Sequence, residues 1–245
     1  ALDFVGGAVS SIAIADTTLL VLNAQNGVEV GSEVHWRLTE KFNKPVVIIA
    51  NHLDHDKTNF EKTIEQAKEQ LSNNVAIVQY PVNQGPEFNA IIDLITMKMY
   101  KFDSEGKTEI TDIPDSEANK AEELRMELIE AAAENDEGLM ETFFENETLT
   151  EDEMRDGILK GILNRGMFPV ICSAAKSNMG TKRMMDFIKN ALPSPADMPA
   201  PITTDDKEVK LDPAGPKSMF VFKTSVEEHL GEVLYFKVMS GEISE

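Results

Sequence analysis

The stretch that decides the fold is Pro45-Val46-Val47-Ile48-Ile49-Ala50-Asn51-His52-Leu53-Asp54. Its first six residues predict a buried strand, because they are apolar and mostly β-branched and because Pro, which has no N–H to donate, is tolerated at the first position of a strand. The run then ends in polar residues. In a parallel α/β sheet, ligands bind beyond the carboxyl ends of the strands. The sequence therefore predicts a ligand-binding loop at 51–54.

The segments on both sides of this stretch repeat the alternation of strand and helix. Short apolar runs predict further strands at 17–24, 75–82 and 168–173. Apolar side chains at helical spacing predict helices at 28–42, 59–71 and 179–192, and prolines at 193 and 195 end the last helix. This order predicts a parallel α/β sheet with right-handed crossovers.

Residues 83–165 interrupt the alternation and predict an inserted α+β subdomain. Residues 91–102 and 107–113, joined by a turn that ends in Gly106, predict a hairpin. Thr150 and Glu153 have the spacing of a capping box. The helices predicted in this segment are at about 115–134, 136–144 and 150–164.

After a proline-rich stretch at 193–216, the sequence pattern changes again. The runs 218–223 and 233–238 predict the first strands of an antiparallel β-barrel, which the chain leaves unfinished. The chain starts at Ala1 without an initiator Met, so we expect it to be a piece of a longer protein.

The net charge of the 245-residue chain is −20, from 43 acidic and 23 basic residues. Residues 103–156 contain 20 Asp and Glu against 4 Lys and Arg, so the predicted insert carries most of this charge. Such a balance argues against sequence-specific or general binding of nucleic acid by the chain. The single cysteine excludes an internal disulfide framework and fits a reducing cytoplasm. The sequence has no apolar run of the roughly 18 residues that a membrane span needs.

Polar residues after two of the predicted strands indicate a guanine-binding site. We expect the Asp54 carboxylate to accept hydrogen bonds from the N1–H and the exocyclic amine of guanine, an edge that adenine does not offer. Asn51 is expected to tie its loop to neighbouring backbone. The loop Ser173-Ala174-Ala175-Lys176 follows another strand and is expected to direct backbone N–H groups at the guanine O6. Either loop alone is also an ordinary turn.

A metal site is the alternative interpretation of the first loop. His52, Asp54, His55 and Asp56 are all residue types that bind metal ions, but four adjacent loop residues rarely converge on one ion. The sequence contains no G-x-x-x-x-G-K-[ST], the motif that cradles phosphates and holds Mg²⁺. We therefore expect no catalytic residue and no metal ligand in this chain, and no nucleotide hydrolysis by it alone.

Taken together, these residues resemble the elongation factor G family of translational GTPases, from the end of switch II into the second domain. Asn51-His52-Leu53-Asp54 stands at the guanine motif N-K-x-D, and Ser173-Ala174-Ala175-Lys176 at the S-A motif. Further similar stretches are Asp3-Phe4 and residues 23–28, 32–37, 92–98, 128–134, 192–195 and 220–241.

The resemblance implies an α/β fold with a partial P-loop NTPase-like parallel sheet. Residues 1–82 and 166–194 would form the C-terminal part of the GTP-binding domain, 83–165 an acidic α+β insert, and 195–245 a linker and a truncated β-barrel. It also implies GTP or GDP as ligand, with Mg²⁺ only in the full-length parent and no nucleotide expected on this fragment. The base would contact Asn51, Asp54 and the segment 173–175. The implied role is ribosomal translocation in the cytoplasm.

Two residues depart from the family pattern. His52 replaces the motif Lys, and a neutral imidazole lying against the base does not supply that cation. Ala1 stands where the family has the His of switch II. These departures leave open a GTPase-impaired, ribosome-binding paralogue, and a class-3 release factor is a further alternative.

The insert carries a candidate docking surface. Glu130, Glu134 and Glu137 are spaced i, i+4 and i+7, which predicts three carboxylates on one helix face. Like charges at this spacing disfavour a helix, so a partner of opposite charge would relieve them. In the family, the insert faces the ribosomal stalk, and the resemblance therefore implies the ribosome, including its stalk protein, as partner.

Overall fold

The apolar run after Pro45 forms a central, buried strand, as predicted. The computed structural model of the protein describes residues 4–244. In chain order its elements are α1 (Val5–Ile14), β1 (Thr18–Asn23), α2 (Val30–Lys41), β2 (Val46–Asn51), α3 (Phe60–Gln70), β3 (Val75–Ile77), β4 (Gln79–Pro81), β5 (Ala90–Asp93), β6 (Lys98–Phe102), β7 (Thr108–Thr111), α4 (Asp115–Ala133), α5 (Glu137–Asn146), α6 (Glu151–Asn164), β8 (Phe168–Cys172), α7 (Thr181–Ala191), β9 (Ser218–Glu227) and β10 (Gly231–Ser240).

The chain divides into two compact units. Residues 17–192 form the larger unit, which holds both the parallel sheet and the predicted insert. Of the described residues, 4–16 and 193–244 form the smaller unit. The helix α1 therefore belongs with the C-terminal segment of the chain rather than with the sheet that follows it.

The parallel sheet has the strand order β1-β2-β8-β3. β2 pairs with β1 along its whole length and with β8 on the other side, where Ala50 lies opposite Cys172. Its residues from Val46 to Ala50 are at most 3% exposed. Because β2 and β8 are parallel neighbours, the loops that follow them leave the sheet side by side. The two motif loops therefore follow neighbouring strands of the parallel sheet.

The prediction of one strand at 75–82 is wrong, because the chain changes sheets in the middle of it. β3 pairs in parallel with β8, whereas β4 pairs antiparallel with β5. Val78, between them, donates its N–H to the Val170 carbonyl and accepts from the Leu94 N–H with its own carbonyl, both at 3.0 Å. Val78 is fully buried. A buried apolar residue suits both the parallel and the antiparallel sheet, so its identity gives no sign that the chain changes sheets here.

An antiparallel sheet has the order β4-β5-β6-β7, in which β4 comes before the predicted insert and the other three strands lie within it; three helices follow. The predicted hairpin has an extra turn, because 91–102 forms parts of two strands rather than one. The Asp93 carboxylate causes this turn by accepting from the N–H groups of Ile95 and Thr96, both at 3.1 Å. The three predicted helices are confirmed, and Thr150 and Glu153 form the predicted capping box.

The smaller unit contains an antiparallel hairpin. Its strands, β9 and β10, confirm the two predicted at 218–223 and 233–238 and extend beyond them. The Lys237 ammonium on β10 donates to the Ile14 carbonyl at 3.1 Å and lies 2.6 Å from the Asp16 carboxylate, so it fastens the end of α1 to the hairpin. Among residues 4–244, no helix combines the length and the apolar character that crossing a bilayer requires.

Arg165 joins the insert helices to the core of the larger unit. It follows α6 with a left-handed φ of 59°. Its guanidinium lies 5.2 Å from the ring centroids of both Trp36 and Phe168 and donates to the Lys44 carbonyl. Burial lowers the pKa of this group. The cation is therefore partly desolvated against two aromatic rings, where such contacts contribute most.

We expect Arg165→Ala to lower the free energy of unfolding by about 2–3 kcal/mol, because it removes a desolvated cation–π contact and the hydrogen bond from the guanidinium to the Lys44 carbonyl. Urea unfolding followed by the fluorescence of Trp36, the single Trp of the chain, measures this directly. The matched control is Arg155→Ala, whose guanidinium makes an ion pair of 3.7 Å with Glu151 one turn away, with an expected cost under about 1 kcal/mol. Equal effects of the two variants would contradict the assignment.

Candidate nucleotide-binding site

Two loops meet at the carboxyl edge of the parallel sheet. One follows β2 and the other follows β8. The Asn51 side-chain oxygen accepts from the Ala175 N–H at 3.0 Å, and the Ser177 hydroxyl donates to the Asp54 carboxylate at 2.8 Å. Two hydrogen bonds therefore join loops that are more than 120 residues apart in the sequence.

The backbone of the first loop is fixed at the two residues before Asp54. His52 has a left-handed φ of 67°, and its carbonyl accepts from the Thr58 hydroxyl at 2.8 Å. Leu53 is fully buried, and its carbonyl accepts from the Gly85 N–H at 2.8 Å. Because Leu53 is anchored in the core, the next residue, Asp54, lies half-buried at the surface of the loop. A carboxylate held in this way is preorganised to accept hydrogen bonds from a ligand.

The second loop is closed at its base and needs a glycine there. Ala174 and Met179 exchange two backbone hydrogen bonds of 2.9 and 3.1 Å. Gly180 then has a φ of 81°, and a Cβ at this position would lie 2.6 Å from the Cys172 carbonyl oxygen. A side chain is therefore excluded by the close approach of two backbone segments as well as by the left-handed conformation.

The N–H groups predicted to reach the guanine O6 are not equivalent. Ser173 donates its N–H to the Ala50 carbonyl at 2.9 Å, and Ala174 donates its N–H to the Met179 carbonyl. Both bonds belong to fixed backbone pairs, so the expectation that these two N–H groups face a base is wrong. The Ala175 N–H instead donates to the side chain of Asn51, which is able to turn or to share the donor. Of the three, Ala175 has the N–H best placed for a base oxygen.

His52 stacks on a second histidine. The rings of His52 and His55 lie 4.6 Å apart between centroids and 24° from parallel. Within the described part of the chain, the buried Nδ1 of His52 has no hydrogen-bond partner. Residues 4–244 also contain no group of three or more His, Cys, Asp or Glu side chains that could hold a metal ion. The alternative metal site at 52–56 is therefore not supported.

The loops border an open cleft of about 420 Å³. Its lining residues are Asp54, His55, Asp56, Pro86, Lys176 and Ser177. The Asp54 carboxylate in this cleft is an acceptor that suits the N1–H and the 2-amino group of guanine. Asn51, His52 and Ala175 lie outside this lining, and the Ala175 N–H is bonded to Asn51.

Ser177 is the residue that the sequence analysis missed. Its single hydroxyl hydrogen is shared with the Ala174 carbonyl oxygen, 3.1 Å away, so Ser177 links Asp54 to the turn of the second loop. A Ser a few residues after a strand is common in turns. A contact with a side chain 123 residues earlier leaves no local signal.

The three glutamates of the insert are exposed but do not share a helix face. α4 ends at Ala133, and Glu137 is the first residue of α5, whose N-cap Asp136 accepts from the Leu139 N–H at 3.1 Å. The prediction of one face was wrong because the Asp136 cap starts a new helix. Glu130 and Glu134 remain at the C-terminal end of α4 and its cap.

A parallel sheet with two joined loops beyond neighbouring strands defines a nucleotide-binding α/β protein. The family described as "Elongation factor Tu GTP binding domain" matches residues 1–194. Elongation factor G of Ureaplasma urealyticum serovar 10 is 32% identical over 247 residues, which cover 98% of this chain and 36% of that protein. A crystal structure of a Thermus thermophilus protein is similar with a TM-score of 0.83 at 26% identity, covering 98% of this chain and 34% of the other. The chain belongs to the elongation factor G-like, GTP-binding translation factors, and spans about a third of the length of these relatives.

Ala1 and Asp3, on which the comparison with switch II depends, lie outside the described residues.

Proposed function

We propose that this chain supplies the guanine-reading part of a protein that binds GTP and GDP and uses GTP to promote ribosomal translocation in the cytoplasm. The observation that carries the proposal is the pair of hydrogen bonds that join the loop of Asn51 and Asp54 to the loop of Ala175 and Ser177. The chain covers about a third of its relatives, so the activity of the whole protein is part of the proposal.

Each loop residue has a distinct role in this proposal. The Asp54 carboxylate accepts from the N1–H and the 2-amino group of the base, while the Ala175 N–H donates to O6. Asn51 shares the Ala175 N–H with the base and so continues to hold the two loops together, and the His52 ring lies against the base. The sequence contains no G-x-x-x-x-G-K-[ST], so the phosphates and Mg²⁺ are held by residues outside this chain.

The test uses the full-length protein. Equilibrium binding of GDP and GTP, compared with ADP and ATP, measures whether the cleft selects guanine. Hydrolysis with and without ribosomes, together with movement of the messenger by one codon on a programmed ribosome, measures the activity. Failure to bind either guanine nucleotide at about millimolar concentration, where binding corresponds to only about −4 kcal/mol, refutes the proposal.

His52 favours a second candidate function, that of a ribosome-binding paralogue with impaired GTP hydrolysis. The imidazole stands in place of a Lys ammonium and stacks on His55 instead of carrying a permanent charge. Ribosome binding that is unaffected by GTP, in the absence of ribosome-stimulated hydrolysis, is the result that would select this candidate.

We also propose that the insert docks the ribosomal stalk protein. Glu130, Glu134 and Glu137 are exposed on two successive helices within the most acidic segment of the chain. Exposed carboxylates of one sign attract a basic partner and raise its association rate, and this effect weakens with salt.

Replacing Glu130, Glu134 and Glu137 together by Lys is expected to weaken binding of the isolated stalk C-terminal domain by about tenfold at low salt, because attraction becomes repulsion. Titration calorimetry at two salt concentrations measures the change. The control reverses Glu227, Glu228 and Glu232, exposed residues of the smaller unit, and alters the net charge by the same amount. If both triple variants weaken binding equally, docking depends on overall charge and the insert has no specific role.

A further inference from the structure

A buried carboxylate at the end of β5 is linked through two side chains to the strand before the second loop and to the helix after it. Asp93 is 2% exposed. One of its oxygens accepts from the N–H groups of Ile95 and Thr96 and from the Thr96 hydroxyl, at 3.1 to 3.2 Å. The other oxygen accepts from Gln79 at 3.0 Å and from Arg183 at 2.9 Å. The carboxylate is thus surrounded by donors, as a buried charge requires.

Gln79 links Asp93 to Cys172, the residue directly before the second loop. Its side chain is fully buried, and its amide oxygen accepts from the Cys172 N–H at 3.3 Å. The Cys172 thiol in turn lies 3.3 Å from the Gln79 carbonyl oxygen. Cys172 is the last residue of β8, directly before the loop, so Gln79 fixes the point from which the loop leaves the sheet.

Arg183 links Asp93 to α7, the helix that follows the second loop. It lies in the first turn of α7, three residues after Gly180. Its guanidinium lies 4.1 Å from the ring centroid of Tyr100 on β6 and is 2.9 Å from Asp93. The side chain is 18% exposed and also contacts Asp186, at 3.2 Å. The insert sheet therefore holds the helix that ends the loop.

We propose that Asp93, acting through Gln79 and Arg183, is a positioning residue that sets the place of the Ala175 N–H and so the recognition of the guanine O6. The inference rests on the proposed function, because it assigns the support of the same base-binding loop. It makes the insert a structural part of base recognition rather than an appendage to the domain.

The chemistry of the cluster explains why a carboxylate is needed. Gln79 and Arg183 both donate to the same oxygen of Asp93. In Asp93→Asn, an amide nitrogen at that position would face two donors, and turning the amide would place it against the N–H groups of Ile95 and Thr96. Either orientation leaves donors unpaired in a buried site and frees α7 or β8 to shift.

The test compares three nucleotides on the full-length protein and on its Asp93→Asn variant. GDP is compared with 6-thioguanosine diphosphate, which has a weakly accepting sulfur at position 6, and with inosine diphosphate, which lacks the 2-amino group. We expect the preference for GDP over the thio analogue to fall by about fivefold, the value of one hydrogen bond, while the preference over inosine diphosphate stays within about twofold. If the substitution only disrupted the structure, the affinities for all three nucleotides would fall by the same factor.

Two further variants keep the test decisive if Asp93→Asn does not fold. Arg183→Met, at a side chain that reaches the surface, is expected to lower the preference for GDP over the thio analogue in the same way. Arg183→Lys is expected to keep most of the preference of the unaltered protein. Asp186→Asn is the control, because it removes the other carboxylate of Arg183 without touching β5. Absence of GDP binding by the unaltered protein defeats the proposed function itself. If the unaltered protein binds GDP but the preference for GDP over the thio analogue is unchanged in Asp93→Asn and Arg183→Met, only the positioning role is overturned.

Discussion

Replacing Asp54 by Asn in the full-length protein is expected to lower its affinity for GDP by about 100- to 1,000-fold, since one charge-assisted hydrogen bond to the base becomes a contact between two donors and the other loses its charge. The Asn amide oxygen still accepts from N1–H, but its NH₂ group then faces the 2-amino group of guanine, donor against donor. Xanthine has a carbonyl oxygen at this position. The same variant is therefore expected to gain affinity for xanthosine diphosphate.

The loop itself is expected to survive this substitution. The Ser177 hydroxyl donates to Asp54 in the native protein, and a hydroxyl is able to turn and accept from the Asn amide instead. Leu53 and its contact with Gly85 are unaffected. The variant therefore changes recognition rather than folding, and its urea unfolding curve should coincide with that of the native protein.

Competition binding with GDP and xanthosine diphosphate measures the exchange of specificity. Asp56→Asn is the matched control, because Asp56 is an exposed residue of the same loop whose carbonyl, not its carboxylate, accepts from Gln25. It is expected to change GDP affinity less than about twofold. An equal loss in both variants would mean that loop charge, not contact with the base, governs binding.

The sequence predicted the parallel sheet and its two motif loops because these depend on local patterns. The strand after Pro45 is apolar over its whole length and ends abruptly in polar residues, so both its burial and its end are encoded within a short local stretch. The helices of the insert are equally local, since the capping box of Thr150 and Glu153 requires only three residues of separation.

What the sequence did not predict depends on contacts between distant segments. Val78 changes sheets because Val170 and Leu94 offer it partners on opposite sides. The bond between Ser177 and Asp54 likewise joins residues 123 positions apart. Neither contact alters the pattern of apolar and polar residues nearby, so no periodicity reveals them.

Glu137 illustrates a limit of a different kind. Its spacing from Glu130 suits one continuous helix, and only the caps decide otherwise. Asp136 accepts from the Leu139 N–H and starts α5, while α4 has already ended. The spacing of charges therefore predicts a shared face only where no capping residue stands between them.

The crossing of α4 and α6 gives a further prediction about stability. Gly157 on α6 packs directly against the backbone of α4, and a Cβ at this position would lie 2.6 Å from the Ala132 carbonyl oxygen and 3.0 Å from the Ala132 carbonyl carbon and Cβ. Helix propensity alone favours Ala over Gly by up to about 1 kcal/mol. The two effects have opposite signs, so the sign of the measured change decides between them.

We expect Gly157→Ala to lower the free energy of unfolding by about 2–3 kcal/mol, because the clash involves backbone that moves only if the two helices separate. Urea unfolding followed by Trp36 fluorescence measures the change. In the control Gly138→Ala, on α5, the nearest atom to the new Cβ is an Asp136 side-chain oxygen at 3.2 Å, so the expected change is under about 1 kcal/mol. A stabilised Gly157→Ala protein would show that the two helices pack less closely than their backbones indicate and that propensity governs this position.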